Sequence, residues 1–291
     1  MSNPGTHEID QSASILAHTF EYSDADFQCL QKLVAHHTGI SLSDSKRDLV
    51  YGRLSKRLRS LGFERFDQYI ALLNNDPDAE LEHFTNAITT NLTSFFREKH
   101  HFEYLAEHIV PVLLDRYRTT GRIRIWSAGC STGEEPYSLA MTLRETIADI
   151  DKLDIRILAT DLDSNVVRTA ANGIYPLSSI KGLDKQYCRR WLRRGTGSHE
   201  GMARVIPEIQ NLVAFRQLNL MQEWPMQGPF DVIFCRNVVI YFDKETQRRL
   251  FDRFANIMHT DGHLIIGHSE TLNSCCDRFK LIDKTIYKRT Y

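Results

Sequence analysis

The chain has 291 residues, 42% of them hydrophobic, with 36 basic against 37 acidic side chains and a net charge of −1. That length allows one large domain or two modest ones with a sizeable core. So balanced a charge excludes chain-wide attraction to nucleic acid, and no apolar run reaches the ~18 residues of a membrane span. The six cysteines at 29, 130, 188, 235, 275 and 276 form no Cys-x-x-Cys pair. They are expected to be reduced thiols of a cytoplasmic protein. Among the histidines, His259 and His263 are separated by Gly262, and His100 and His101 are adjacent, so no metal site is expected.

Residues 1–21 lack periodicity and read as a flexible tail. From 22 to 90 the pattern is helical. Ser23 with Asp26 three residues on is an N-cap signature, followed by Phe27, Leu30, Leu33 and Val34 at helical spacing and stopped by Gly39. A second helix is predicted over 45–61, ending at Gly62, a third over 66–74 before Asp76-Pro77, and a fourth over 79–89. Residues 91–118 read as a linker and a connecting helix. From 119 to 291 strands alternate with helices, the mark of a mainly parallel sheet: strands at 122–128, 155–160, 230–235 and 263–267, helices at 134–148, 163–171 and 244–258, and a last strand pair near 278–290. Between Pro176 and Leu218 the alternation breaks, and a β subdomain is expected over about 188–216. The turn Gly195-Thr196-Gly197-Ser198, followed by Met202–Ile206 and Leu212–Phe215, predicts an inserted hairpin.

Three predicted strands end in polar tips. Ile123–Ser127 runs into a small-residue loop and Glu134-Glu135, Ile155–Ala159 ends on Thr160-Asp161, and Phe230–Phe234 stops on Cys235-Arg236-Asn237. Carboxyl ends of strands in open α/β sheets are where ligands bind. The two glutamates suit a helix N-terminus but would repel the phosphates such a site usually takes. A cationic ligand without phosphate, S-adenosylmethionine, fits better than a dinucleotide. Asp161 is placed to accept ribose hydroxyls. The alternative is that Asp161 only caps the following helix.

The segments Asn91–Glu98, Trp126–Ser138, Ala159–Asp163, Arg194–Gly201, Cys235–Asp243 and Gly267–Glu270 occur together and in order. With them the chain resembles the bacterial chemotaxis-receptor glutamate O-methyltransferases, the CheR family, from about Tyr22 onward. The resemblance implies a class I, Rossmann-like methyltransferase sheet with a reversed last strand and an inserted small antiparallel β subdomain, preceded by an all-helical N-terminal domain. It implies S-adenosylmethionine as cofactor and S-adenosylhomocysteine as product. The cofactor would be bound by Asn91, Thr93, Arg97, Glu135, Asp161, Asn219, Leu220, Asn237 and Val238. Arg97 would hold a carboxylate, and Tyr241 would face the methyl group.

Lys46, Arg53 and Arg57 fall within roughly 40° of one another at about 100° per residue, and Lys56 and Arg59 extend that face. The resemblance implies that Lys46, Arg53, Arg57 and Arg59 meet acidic cytoplasmic domains of methyl-accepting chemotaxis receptors. It also implies a second partner site, in which the glycine-turn hairpin docks a receptor's C-terminal pentapeptide with Arg189, Arg193 or Arg194 against its carboxylates. A monomer recruited to membrane receptor arrays is expected. The competing readings are a methyltransferase for RNA, which the balanced charge disfavours, or for a small molecule, against which the helical domain and the hairpin insertion argue, and a non-catalytic cofactor-binding scaffold.

Overall fold

The computed structural model describes residues 20–272 and 275–290. The first unit is a bundle of α1 (Asp24–Thr38), α2 (Arg47–Leu61), α3 (Phe66–Asn75) and α4 (Pro77–Ile88). Its boundaries follow local chemistry. Ser23 Oγ accepts from the Asp26 amide, and the Asp26 carboxylate accepts from the Ser23 amide at 2.8 Å, a reciprocal cap. Gly39 and Gly62 end α1 and α2 in the left-handed conformation, which glycine adopts without Cβ strain. Leu30, Val50, Leu54, Phe66, Tyr69 and Phe84 form the fully buried core. Phe20 joins them, with its amide on the Tyr51 hydroxyl, so ordered packing begins inside the tail expected over 1–21, whose first 19 residues lie outside the described ones.

A helix then leads onto the sheet: α5 (His100–Tyr104), a wide π turn (Leu105–Ile109) and α6 (Val110–Thr120). Pro111 accounts for the wide turn, because it has no amide to donate and its ring crowds the preceding turn.

The main sheet has the order β6-β2-β1-β7-β8-β10-β9. Its strands are β1 (Ile123–Ala128), β2 (Ile155–Asp161), β6 (Val213–Gln217), β7 (Phe230–Cys235), β8 (Met258–Ile266), β9 (Phe279–Asp283) and β10 (Ile286–Arg289). The pairs β1–β2, β1–β7, β2–β6 and β7–β8 are parallel, whereas β10 is antiparallel to both neighbours. Residue alternation divides two cores between the faces. Ile125, Ile157, Val232 and Phe234 pack on one side with α6 and α7 (Glu134–Thr146), while Trp126, Ile233, Cys235 and Leu264 pack on the other with α11 (Lys244–Ile257).

After α8 (Ser164–Asn172) a small antiparallel sheet is inserted, in the order β3-β5-β4: β3 (Ile174–Pro176), β4 (Leu192–Arg194) and β5 (Met202–Val205). The helix α9 (Lys185–Trp191) leads into β4, and the short α10 (Pro207–Gln210) follows β5. This corrects one expectation. Gly195 and Gly197 join β4 to β5, not Met202–Val205 to Leu212–Phe215, and the latter segment is β6, parallel to β2 in the main sheet. Val213, Ala214 and Phe215 are half-buried, as suits an edge strand covered unevenly, so their pattern gives no sign of which sheet takes them.

The two units are tied directly. Ser41 donates its amide to the Tyr241 carbonyl at 2.7 Å, beside an Ile40–Phe242 bridge. Asn219 Nδ2 donates to the His37 carbonyl at 2.6 Å, and Thr89 Oγ1 to Asp163 at 2.9 Å.

Candidate active site

The strand tips and the linker enclose a cavity of about 560 Å³. Asn91, Thr93, Arg97, Glu135, Asp161, Asn219, Leu220, Asn237, Val238 and Tyr241 all line it, as does Lys46. The sequence-derived cofactor set is therefore brought to one place, walled by both units. Arg53, Arg57 and Arg59 lie outside it.

Gly129, at the end of β1, has φ +94°, and a Cβ there would stand 2.3 Å from Val238 Cγ2. Any side chain would have to displace the loop after β7, so this glycine sets how closely the two loops approach.

Asp161, at the tip of β2, accepts from the Ser131 amide at 2.8 Å and the Asp163 amide at 3.0 Å. Asp163, not Asp161, caps α8 through the Asn165 amide, so the capping alternative falls to its neighbour. Burial pushes the Asp161 carboxyl up to about 6, against the pull of those amides. A carboxylate that also lines the cavity suits a pair of hydroxyl donors. Asp161→Ala is expected to weaken S-adenosylhomocysteine binding by about 1–3 kcal/mol, roughly 5- to 150-fold, read by calorimetry. Wild-type affinity is expected to fall as pH drops below about 6, because protonation removes an acceptor.

Glu135, in the first turn of α7, accepts from Ser127 Oγ at 2.8 Å and pairs with Arg236 Nη1 at 2.9 Å. Arg236 is the residue that motif reading quoted without giving it a role. Its side chain is 2% exposed, its Nη2 lies 3.2 Å from Glu98, and it donates to the Arg97 carbonyl. Burial raises the Glu98 carboxyl, but the His268 hydrogen bond and Arg236 outweigh it and hold Glu98 at about 2. Glu98 in turn accepts from His268 Nδ1 at 2.7 Å. Arg236 thus joins the linker, the α7 glutamate and the strand tip in one ionic cluster.

Arg97 makes no ion pair among the described residues. Its Nη1 donates to the Leu92 carbonyl at 2.8 Å, leaving guanidinium donors for a carboxylate. Asn91 donates to Asp163 at 2.7 Å and accepts from Ser131 Oγ through its carbonyl, so it braces the linker as much as it lines the cavity. Asn237 holds φ +58°, fixed by Glu270, which accepts the Asn237, Ile240 and Gly267 amides. Glu270, like Arg236, gave only a motif signal in the sequence, because two of its three partners, Asn237 and Ile240, come from another strand tip.

The residues present fit S-adenosylmethionine: the carboxylates of Asp161 and Glu135 for hydroxyl and ammonium groups, and an arginine, Arg97, with donors to spare for a carboxylate. Of the four predicted receptor contacts, two are engaged within the helical unit. Arg57 makes a bidentate pair with buried Glu80, at 2.8 and 2.6 Å, and Tyr69 also donates to Glu80 at 2.8 Å. Arg53 donates to the Ile88 and Thr89 carbonyls at 2.5 and 2.8 Å, closing the end of α4. Lys46 and Arg59 are exposed, with the Arg59 guanidinium over the Phe20 ring.

Residues 25–89 match the family description "CheR methyltransferase, all-alpha domain", and residues 91–288 match "CheR methyltransferase, SAM binding domain". A chemotaxis protein methyltransferase of Salmonella typhimurium is 46% identical over 267 residues, covering 91% of this chain and 90% of the relative. That of Escherichia coli is 46% identical over 267 residues, covering 91% of each. A third, chemotaxis protein methyltransferase 2 of Pseudomonas aeruginosa, is 44% identical over 269 residues, covering 92% of this chain and 94% of the relative. The two matched domains and the cavity between them agree, and the chain belongs to the CheR family of S-adenosylmethionine-dependent chemotaxis protein methyltransferases.

Proposed function

We propose that the enzyme esterifies glutamate side chains of methyl-accepting chemotaxis receptors, releasing S-adenosylhomocysteine, and that it works in the cytoplasm as a monomer recruited to membrane receptor arrays. The observation that carries this reading is the position of the cavity. It lies at the seam with the helical unit, and the lysine at the start of α2 stands on its lining. An acidic helical substrate approaching along α2 would bring a carboxylate to that opening.

The cofactor supplies a methyl group carried on a positively charged sulfur. In this reading Asp161 accepts the ribose hydroxyls, Glu135 and Asn91 face the amino-acid end, and Thr93, Asn219, Leu220, Asn237 and Val238 line the adenosine and methyl region. Arg97 holds a carboxylate. A glutamate side chain is already ionised at neutral pH, so no residue needs to remove a proton. The chain's task is to orient two groups and exclude water. Tyr241, whose carbonyl is fixed by Ser41, borders the point where both groups meet.

A second docking site rests on β4. This strand pairs only with β5 and leaves its other edge open among the described residues. An extended receptor tail could add there as a further strand, beside Arg189, Arg193 and Arg194. Tethering would raise the local substrate concentration without altering the chemistry.

Labelled S-adenosylmethionine, incubated with receptor cytoplasmic fragments with and without their last five residues, tests both parts. Base-labile methyl esters on glutamate are expected, at a higher rate when the tail is present. Absence of esters removes the glutamate reading, and equal rates remove the tether. At the N-cap of α2, Lys46→Glu is expected to raise KM for the fragment about two- to fivefold at low salt and less at about 0.5 M. Arg57→Glu is expected instead to unfold the helical unit, since it sets an acid against buried Glu80.

A further inference from the structure

Single exposed leucines on a protein surface carry little information, whereas several around one opening do. Six large apolar side chains are exposed among the described residues: Leu49, Leu92, Val112, Ile240, Leu281 and Ile282. Three of them, Leu49, Leu92 and Ile240, line the active-site cavity. They come from three unrelated elements: α2, the linker, and the 3-10 turn Val239–Tyr241. Leu92 is 81% exposed, yet it does not sit on a loose loop. The Asn91 carbonyl accepts from Ser131 Oγ, and the Leu92 carbonyl from Arg97 Nη1. A segment fastened on both sides of the residue holds an isobutyl group out into water. Ile240 is likewise held, its amide bonded to Glu270 at 3.2 Å.

We propose that Leu49, Leu92 and Ile240 form an apolar collar that selects which glutamates are esterified, by receiving an apolar side chain one helical turn from the target on the same receptor helix. The inference rests on the glutamate reading above. A carboxylate that enters the cavity must leave the rest of its helix on the rim. On a helix, the residues three and four positions away share the face of the glutamate, with Cβ atoms about 5–6 Å off. Those are the side chains that meet the collar. Lys46, on the same lining, meets the acidic remainder of the helix, so the rim matches an amphipathic acidic helix on both counts. A glutamate flanked at that spacing by charged residues would leave the collar facing charge and would be passed over.

The test uses the full chain, labelled S-adenosylmethionine and a cytoplasmic receptor fragment carrying its methylation helices. Leu92→Ser and Ile240→Ser are each expected to raise KM for the fragment about tenfold, with kcat within twofold and S-adenosylhomocysteine affinity unchanged. Replacing the fragment's apolar residue one turn from the esterified glutamate by Glu is expected to raise KM similarly for the wild type, and Leu92→Lys to recover most of that loss. If KM stays within twofold in both serine variants, the collar is wrong while glutamate esterification stands. If Leu92→Ser instead weakens S-adenosylhomocysteine binding, the leucine serves the cofactor and the proposal fails. If the wild type esterifies no fragment, the glutamate reading falls and the collar falls with it.

Discussion

Arg97→Ala is expected to lower kcat/KM for methyl transfer at least 100-fold while leaving the thermal midpoint within a few degrees. The guanidinium lines the cavity and makes one hydrogen bond, to the Leu92 carbonyl, with no ion pair among the described residues. Little of the fold therefore depends on it. A charge-assisted contact to a carboxylate in a partly desolvated site is worth about 2–5 kcal/mol when one partner is removed. Arg97→Lys keeps the charge but not the planar fork, and is expected to recover only part of the rate. Wild-type turnover with an unchanged melt would show that Arg97 holds no reacting or cofactor group.

A large loss of stability is expected at Arg236. Arg236→Ala removes the cation from between Glu135 and Glu98, whose side chains are 9% and 10% exposed. Breaking a buried pair from one side costs about 3–5 kcal/mol, which for a chain of this size is roughly a 10 °C fall in Tm. The pH dependence has a definite sign. The Glu98 carboxyl is depressed from 4.5 to about 2, so its contribution is present above about 4.5 and lost as pH falls toward 2. Without Arg236 that depression shrinks, and acid unfolding of the variant is expected to begin at higher pH. A variant with wild-type Tm and wild-type acid midpoint would show that the cluster is not what fixes the linker.

The helical unit was legible because its signals are local. Ser23 with Asp26, Gly39, Gly62 and Pro77 each act within one turn of where they stand. The strand tips were legible for a related reason, since an apolar run ending on Asp161 or Asn237 marks its own carboxyl end. The ionic cluster was not legible, because Glu135 and Arg236 are 101 residues apart in sequence and nothing near either names the other. The same limit explains α2. Winding the helix places Arg53 and Arg57 on a common face, but only the packing of α4 beneath it shows that Glu80 and the carbonyls of Ile88 and Thr89 have taken them. The pairing of the inserted hairpin failed because β4 has only three residues, Leu192, Arg193 and Arg194, too short and too charged to show alternation.

The seam itself has a thermodynamic corollary. Asn219 reaching His37, and Ser41 reaching Tyr241, hold the helical unit against the strand tips along the wall of the cavity. A ligand that touches both walls must favour the docked arrangement by as much as docking favours the ligand, because the coupling is reciprocal. At 100 times its dissociation constant such a ligand adds about 2.7 kcal/mol to the state that binds it. Substrate supply is thereby converted into mechanical order. A bound methyl donor would in this way tighten the hold of the helical unit over the catalytic domain.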